Sequence, residues 1–220
     1  MKRFTRWLVV LMFAFQLAVA MAAESFTEGE QYLRLKKAQP TSTADKIEVV
    51  ELFWYGCPHC NDLEPFINSW LADKPDDVEF VRMPAIFGER SKPLARAYYT
   101  AEVLGVLDET HSALFKAIHE QQQKLNTDAE IQAFFLAHGV SEEDFTSTYN
   151  SFAVAIKMNN AQLMTRRYAI TGVPTLIVNG KYSTSGSQAG THARILRVVD
   201  YLVAQERDAG QPGQAAADGS

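Results

Sequence analysis

The chain has 220 residues, of which 47% are hydrophobic, and its 26 acidic and 21 basic side chains give a formal net charge of −5 at pH 7. This length supports one substantial hydrophobic core, or a core with an inserted subdomain. The acidic balance argues against nucleic-acid binding, which depends on clusters of lysine and arginine.

The N-terminal segment has the composition of an export signal. Within residues 1–23, the basic residues Lys2, Arg3 and Arg6 precede an apolar run that ends in small residues suited to cleavage. We predict a cleaved signal peptide; a retained membrane anchor is the alternative, although the run is slightly short for a spanning helix. Cleavage would leave 18 basic against 26 acidic residues, a net charge of −8.

Strand patterns flank a helical segment in the first third of the remaining chain. A short strand is predicted at residues 32–35, and the β-branched and aromatic run Ile47–Tyr55 predicts a strand buried on both faces. The spacing of Leu63, Phe66, Ile67 and Trp70 predicts a helix after Cys57, and alternation over Val78–Met83 predicts a third strand. Together these form a βαβ unit.

The middle of the chain has helical periodicity throughout. Four helices are predicted between Lys92 and Tyr168: one ending near Gly105, one around Leu114–Ile118, one from the capping box at Thr127–Glu130 to Gly139, and one opening at Ser141 with a break near Asn150. This block interrupts an α/β framework.

Strand character returns near the C-terminus. The run Gly172–Val178 leads into Asn179-Gly180, a strong hairpin signal, and residues 181–183 are the predicted returning strand. A last helix is predicted from about Gln188 to Gln205, and residues 207–220 have the composition of a flexible tail.

The chain contains two cysteines, Cys57 and Cys60, at the predicted junction between strand and helix. If the helix begins at Pro58, Cys57 is its N-cap, and the sulfur faces unpaired N–H groups and the positive end of the helix dipole. A protonated His59 would add a cation beside the sulfur. These features favour the reactive thiolate at Cys57, with Cys60 as a more buried resolving thiol.

Other interpretations of the pair are weaker. A structural disulfide over two intervening residues would constrain the unfolded chain little. Zinc would need more ligands than two cysteines and His59, and covalent haem needs a histidine where Asn61 stands. We therefore expect no metal and no cofactor besides a redox-active Cys57–Cys60 disulfide, with an ordinary solvated His59 as the alternative to a tuning role.

Cys57-Pro58-His59-Cys60 after a strand, together with Val173-Pro174-Thr175 before another, resembles the thioredoxin fold. More narrowly, it is similar to the DsbA family, exported bacterial thiol:disulfide oxidases with a helical insertion. The resemblance implies an α/β thioredoxin-like domain made of residues 24–88 and 169–206, with an inserted all-helical domain at 89–168.

The same resemblance implies roles for residues outside the cysteine motif. Glu51 corresponds to a buried acid that could accept a proton from Cys60, with a merely ion-paired glutamate as the alternative. Arg82 is a candidate partner for Glu51, where relatives carry a lysine.

A cis Val173–Pro174 bond would pack Pro174 against the disulfide and leave the Val173 backbone free to pair with an extended substrate. Trp54 and Tyr55 are expected to serve mainly in packing.

The sequence thus predicts an exported oxidase, periplasmic by resemblance, that passes its disulfide to reduced or unfolded exported proteins. The family implies a DsbB-like, quinone-linked inner-membrane partner, and we expect a monomer. The alternatives are an isomerase or reductant on the same fold, and a non-catalytic thioredoxin-like binding module.

Overall fold

The computed structural model describes residues 24–210, so the predicted signal peptide and residues 211–220 lie outside the described part. A five-stranded sheet forms within it, in the order β1-β5-β4-β2-β3. The strands are β1 (Leu33–Arg34), β2 (Ile47–Phe53), β3 (Val78–Pro84), β4 (Thr175–Val178) and β5 (Tyr182–Ser185). β2 and β3 are parallel, while β4 runs antiparallel to both β2 and β5.

Eight α-helices accompany the sheet in the described residues. They are α1 (Pro58–Asp73), α2 (Lys92–Leu104), α3 (Leu107–His119), α4 (Asp128–Ala137), α5 (Glu142–Tyr149), α6 (Phe152–Arg167), α7 (Gly186–Ala189) and α8 (His192–Gly210). α2 to α6 lie between β3 and β4, as the helical periodicity predicted. None of the helices within residues 24–210 combines the length and apolar character needed to cross a membrane.

The central strand β2 is covered on both faces, as its unbroken apolar run predicted. Val49 belongs to a core shared with α1 and α8, through Leu63 and Ile195. Val50 points the other way, into a core that includes Met164 of α6. A third core joins the end of β2 to the inserted helices. Because successive side chains of a strand alternate in direction, Glu51 lies on the α1 face and Glu48 on the α6 face, and both are buried.

Local sequence signals explain how several helices begin and end. The capping box is formed at the start of α4, where the Thr127 hydroxyl accepts from the Glu130 backbone and the Glu130 carboxylate accepts from the Thr127 backbone. Gly105 ends α2 in the left-handed region at φ 73°. The break expected near Asn150 is present, because the Ser151 hydroxyl caps a new helix, α6.

Two predicted boundaries were wrong. The last helix does not begin at Gln188: a short α7 ends at Gly190, which has φ 88°, and α8 starts at His192. The tail does not begin at residue 207, because α8 continues to Gly210 and the Arg207 guanidinium donates two hydrogen bonds to the Asp77 carboxylate. A distant acid on the loop before β3 thus supports a segment whose own composition predicts disorder.

Candidate active site around Cys57 and Cys60

Cys57 lies where the chain leaves β2 and enters α1. Its backbone N–H donates to the Trp54 carbonyl at 2.9 Å, and its carbonyl accepts from the Cys60 N–H at 3.1 Å. Helix α1 begins at Pro58 with Cys57 in extended conformation at the N-cap, as predicted. The proline suits the first helical position because its missing N–H would have no partner there. This geometry places the Cys57 sulfur at the positive end of the helix.

The surroundings of Cys57 lower its pKa from 9.0 to about 6. The largest cause is a hydrogen bond from the Cys60 thiol, and partial burial opposes this effect. The pKa is lowered further by the backbone N–H groups of Cys60 and His59 and by the charge of the His59 ring. No group makes an N-cap hydrogen bond of standard geometry to the Cys57 side chain. The N–H groups therefore act mainly as short-range positive charges.

Cys60 has the opposite environment. It lies fully buried in the first turn of α1. Its pKa is raised strongly, mainly by burial, and also by its hydrogen bond to Cys57 and by the negative charge on that sulfur. Both cysteines are free thiols in this structure. One sulfur is therefore accessible and easily ionised, while its neighbour stays protonated, which is the asymmetry expected of an attacking and a resolving thiol.

An open groove of about 720 Å³ borders the cysteine motif. His59 and Phe66 of α1 line it, together with Val173 and Pro174. Pro58 and His59 are exposed, and the Phe66 side chain is 41% exposed. The groove thus brings the predicted substrate-binding residues next to the predicted catalytic ones.

The Val173–Pro174 peptide bond is cis, as predicted. The Cys57 thiol donates to the Val173 carbonyl, with 3.5 Å between sulfur and oxygen. β4 begins only at Thr175, so residues 173 and 174 lie beyond the end of the ladder that joins β4 to β2. The chain segment facing Cys57 is therefore free of strand partners.

Glu51 is fully buried on β2, opposite Arg82 of β3. The Arg82 Nε lies 3.3 Å from the Glu51 Oε2, but the contact falls outside hydrogen-bond geometry, and neither Glu51 oxygen has a hydrogen-bond partner among the described residues. Burial, followed by the negative charge of Glu64, raises the Glu51 pKa to about 8 against the opposing effect of Arg82. A protonated Glu51 at neutral pH follows.

Three further residues complete this buried cluster, and the sequence interpretation missed their roles. Glu64 of α1 contacts Arg82 and His111, while the Tyr55 hydroxyl is hydrogen-bonded to the His111 Nδ1 at 2.8 Å. Tyr55 is therefore a buried polar partner and not only a packing residue. The one sequence signal for Glu64 was its place beside Leu63 on the buried side of α1; nothing local marked His111.

Trp54 is half-buried and packs beside the cysteine motif. Its ring occupies the space that a side chain at Gly56 would need, because a Cβ there would lie 2.4 Å from the ring. The Arg90 guanidinium lies 5.6 Å from the centre of the same ring. Among the described residues, no group of three or more His, Cys, Asp or Glu side chains is arranged to hold a metal ion.

Comparison with known proteins gives consistent matches. The family model described as DSBA-like thioredoxin domain matches residues 76–192. Thiol:disulfide interchange protein DsbA of Pseudomonas aeruginosa is 44% identical over 191 residues, covering 87% of this chain and 90% of that protein. The protein of the same name from Pseudomonas syringae is 42% identical over 190 residues, covering 86% and 89%.

Solved structures agree with these sequence matches. The crystal structure of Pseudomonas aeruginosa DsbA has a TM-score of 0.80 at 45% identity, covering 84% of this chain and 96% of that one. Oxidoreductase DsbA from Xylella fastidiosa has a TM-score of 0.78 at 36% identity, covering 84% and 100%. Since relatives with 42% to 44% identity are matched along about nine tenths of their length, the chain belongs to the DsbA family of thiol:disulfide oxidoreductases.

Proposed function

We propose that this protein is an exported dithiol–disulfide oxidase that donates its Cys57–Cys60 disulfide to folding proteins through a mixed disulfide at Cys57. The observation that carries the proposal is the opposite environment of the two sulfurs. Cys57 is accessible with a pKa of about 6, while Cys60 is buried with a strongly raised pKa. An ionised Cys57 stabilises the reduced protein and so makes the disulfide a stronger oxidant.

The reaction begins with attack of a substrate thiolate on the Cys57 sulfur. The Cys57–Cys60 bond breaks, a bond forms between the substrate sulfur and Cys57, and Cys60 leaves with the electron pair and takes up a proton. A second substrate thiolate then attacks the substrate sulfur of the mixed disulfide. Cys57 leaves as a thiolate, and its stability as an anion makes it a good leaving group.

Glu51 is suited to be the proton partner of Cys60. Its carboxyl is protonated at neutral pH, so it can supply the proton that the buried Cys60 needs when the disulfide opens. In the reverse direction, when the disulfide is re-formed, the carboxylate accepts the proton from the Cys60 thiol. Arg82 holds its proton throughout, because arginine hardly deprotonates, and so acts only through its charge.

The groove beside the motif is suited to an extended, partly apolar peptide. Val173 and Pro174 present backbone without strand partners toward Cys57, and Phe66 supplies exposed apolar surface. A substrate segment paired with the Val173 backbone would bring a cysteine within reach of the Cys57 sulfur. His59 lines the same groove and contributes to the charge around the sulfur.

The remaining parts of the proposal concern location and partners. The composition of residues 1–23 supports export, and the family supports the periplasm as the compartment, where disulfides persist. Each turnover leaves the enzyme reduced, so it needs re-oxidation by a DsbB-like, quinone-linked membrane partner. We propose a monomer with no cofactor beyond the Cys57–Cys60 pair, acting on proteins and not on nucleic acid.

A redox titration against glutathione, followed by oxidation of a reduced peptide, tests the proposal. We expect a readily reduced disulfide, more oxidising than that of a thioredoxin-like reductant, and loss of peptide oxidation in Cys57→Ser. A poorly reducible disulfide together with efficient insulin reduction would instead support a reductant. Client binding that survives unchanged in Cys57→Ser, with no oxidation by the wild type, would support the binding module.

A further inference from the structure

The buried cluster beneath the cysteines contains two acids that share one arginine. Arg82 reaches Glu51 through its Nε at 3.3 Å and Glu64 through its Nη2 at 3.2 Å. Two carboxylates around one guanidinium in a buried site leave one negative charge uncompensated, so one of the two acids retains a proton. Which acid keeps it matters, because Glu51 is the proposed proton partner of Cys60.

The two acids differ in the number of their partners. Glu51 has Arg82 alone, outside hydrogen-bond geometry, and is completely buried. Glu64 accepts a hydrogen bond from Arg82 with one oxygen, and its other oxygen lies 3.2 Å from the His111 Nε2. The second partner of Glu64 favours its ionised form over that of Glu51.

We propose that His111 is a positioning residue that determines which of the two buried acids holds the proton, keeping Glu64 ionised and the proton on Glu51. This goes beyond the proposed function and rests on it for its catalytic consequence. The placement of the proton itself can be measured without any turnover.

Tyr55 sets the orientation that His111 needs for this role. The Tyr55 hydroxyl stays protonated in this apolar site, since burial raises its pKa well above the ordinary value, and it lies 2.8 Å from the His111 Nδ1. The other ring nitrogen faces a carboxylate oxygen of Glu64, which can only accept when ionised, so the hydroxyl is the donor to Nδ1. The neutral ring then carries its hydrogen on Nε2, the nitrogen that faces Glu64. The contact between Nε2 and Glu64 Oε1, at 3.2 Å, is outside hydrogen-bond geometry, so the Nε2 hydrogen acts on the carboxylate through its positive partial charge at short range and not through an aligned hydrogen bond.

The other groups around His111 do not replace it. The charged and titratable groups near the ring are Tyr55 after β2, Glu64 on α1, Arg82 on β3 and Tyr98 on α2, together with Asp108 of α3 itself, which lines a cavity of about 300 Å³ with His111. Burial is the largest effect on the His111 pKa and lowers it, although Glu64 opposes this. The ring therefore acts as a neutral donor and not as a cation.

Removal of the His111 donor should move the proton toward Glu64. With its second partner gone, Glu64 becomes easier to protonate, and Arg82 then stabilises Glu51 as a carboxylate. We expect the Glu51 pKa to fall from about 8 by about one unit in His111→Phe. At pH 7 this raises the ionised share of Glu51 roughly fivefold and lowers its protonated share roughly twofold.

Those two changes affect the two directions of the reaction differently. The proton-accepting step, in which Cys60 resolves a mixed disulfide on Cys57, should become faster at pH 7 by at most about fivefold, the rise in ionised share, because a lower pKa also weakens the base. The proton-donating step, in which Cys60 leaves, should change less, because the loss of about half of the protonated carboxyl is offset by the greater acidity of the rest. A general loss of structure would slow both steps.

The experiment is a carbon-13 NMR titration of the side-chain carboxyls, with signals assigned by Glu51→Gln and Glu64→Gln. In the wild type we expect Glu51 to titrate near 8 and Glu64 below its ordinary value. In His111→Phe the two values should approach each other or reverse, whereas His111→Gln, which keeps an N–H donor, should retain the wild-type order. The Cys57 pKa should stay the same in all three proteins.

The proposal is overturned if both acids titrate in His111→Phe as in the wild type. It is also overturned, whether or not that variant folds, if nitrogen NMR of wild-type His111 shows the hydrogen on Nδ1, or if Glu51 is already ionised at pH 6. A wild type that shows the expected proton placement but oxidises no peptide would contradict the proposed function and leave this inference standing.

Discussion

Replacement of His59 by glutamine gives the sharpest test of how the protein stabilises the Cys57 thiolate. The Cys57 pKa of about 6 depends on the Cys60 thiol and on backbone N–H groups, as well as on the His59 ring. His59→Gln removes only the ring charge, because the backbone N–H at that position remains. The ring is exposed and solvent screens it, so we expect the Cys57 pKa to rise by about one unit and not to its ordinary value.

The consequences of that rise differ between pH 6 and pH 7. At pH 6 the thiolate share falls from about one half to about one tenth, so alkylation of Cys57 should become roughly fivefold slower. At pH 7 a thiolate with a pKa of about 6 stabilises the reduced protein by at most about 30 mV. About 20 mV of this disappears when the pKa rises to about 7, and since Cys57 is only half-buried, screening makes both values upper limits.

The assay combines two measurements on the same proteins: thiolate ultraviolet absorbance against pH, and a glutathione redox titration at pH 7. His192→Gln is the matched control, because His192 lines the same groove but does not act on the Cys57 sulfur. A Cys57 pKa that stays near 6 in His59→Gln would refute the contribution of the ring. An equal rise in His192→Gln would show that total charge, and not the neighbouring position, is responsible.

Three further changes test other parts of the structure. Glu51→Gln should raise the free energy of unfolding of the reduced protein at pH 7 by up to about 3 kcal/mol, because the pKa of Glu51 is about 8 in the folded protein against an ordinary 4.5, and such a group lowers stability as the pH rises between those values. Unfolding at pH 4 and at pH 7 measures the effect, and an equal gain at both pH values would contradict it. Phe66→Ser should raise the KM for a reduced peptide about fivefold, because about 1 kcal/mol of apolar contact with the peptide is lost, while the Cys57 pKa stays constant. A change in kcat alone would argue against a binding role. Glu206→Gln should lower the free energy of unfolding by about 1 to 3 kcal/mol, because the buried carboxylate accepts hydrogen bonds from Asn179 and Lys181 of the hairpin turn. A change in the redox potential of the cysteine pair would contradict this purely structural role.

The relation between sequence and structure differs between the two halves of the site. The cysteine motif could be interpreted locally: a proline after Cys57 can start a helix, so the N-cap position of Cys57 follows from a few adjacent residues. Glu51 could be recognised as a problem, because a carboxylate in a strand covered on both faces needs a partner. Arg82 was a candidate partner because it lies on the next predicted strand, where relatives carry a lysine, and the structure places it in register with Glu51.

Spacing within the chain could not reveal the rest of the buried cluster. Tyr55 and His111 are 56 positions apart, and their hydrogen bond exists only because α3 of the insertion packs against the end of β2. The Arg207–Asp77 contact likewise extends α8 through a segment whose composition predicts a tail. Local patterns determine where strands, helices and caps form, since those depend on neighbouring residues. The packing of distant elements alone decides which buried charges meet, and hence where the proton beneath Cys60 resides.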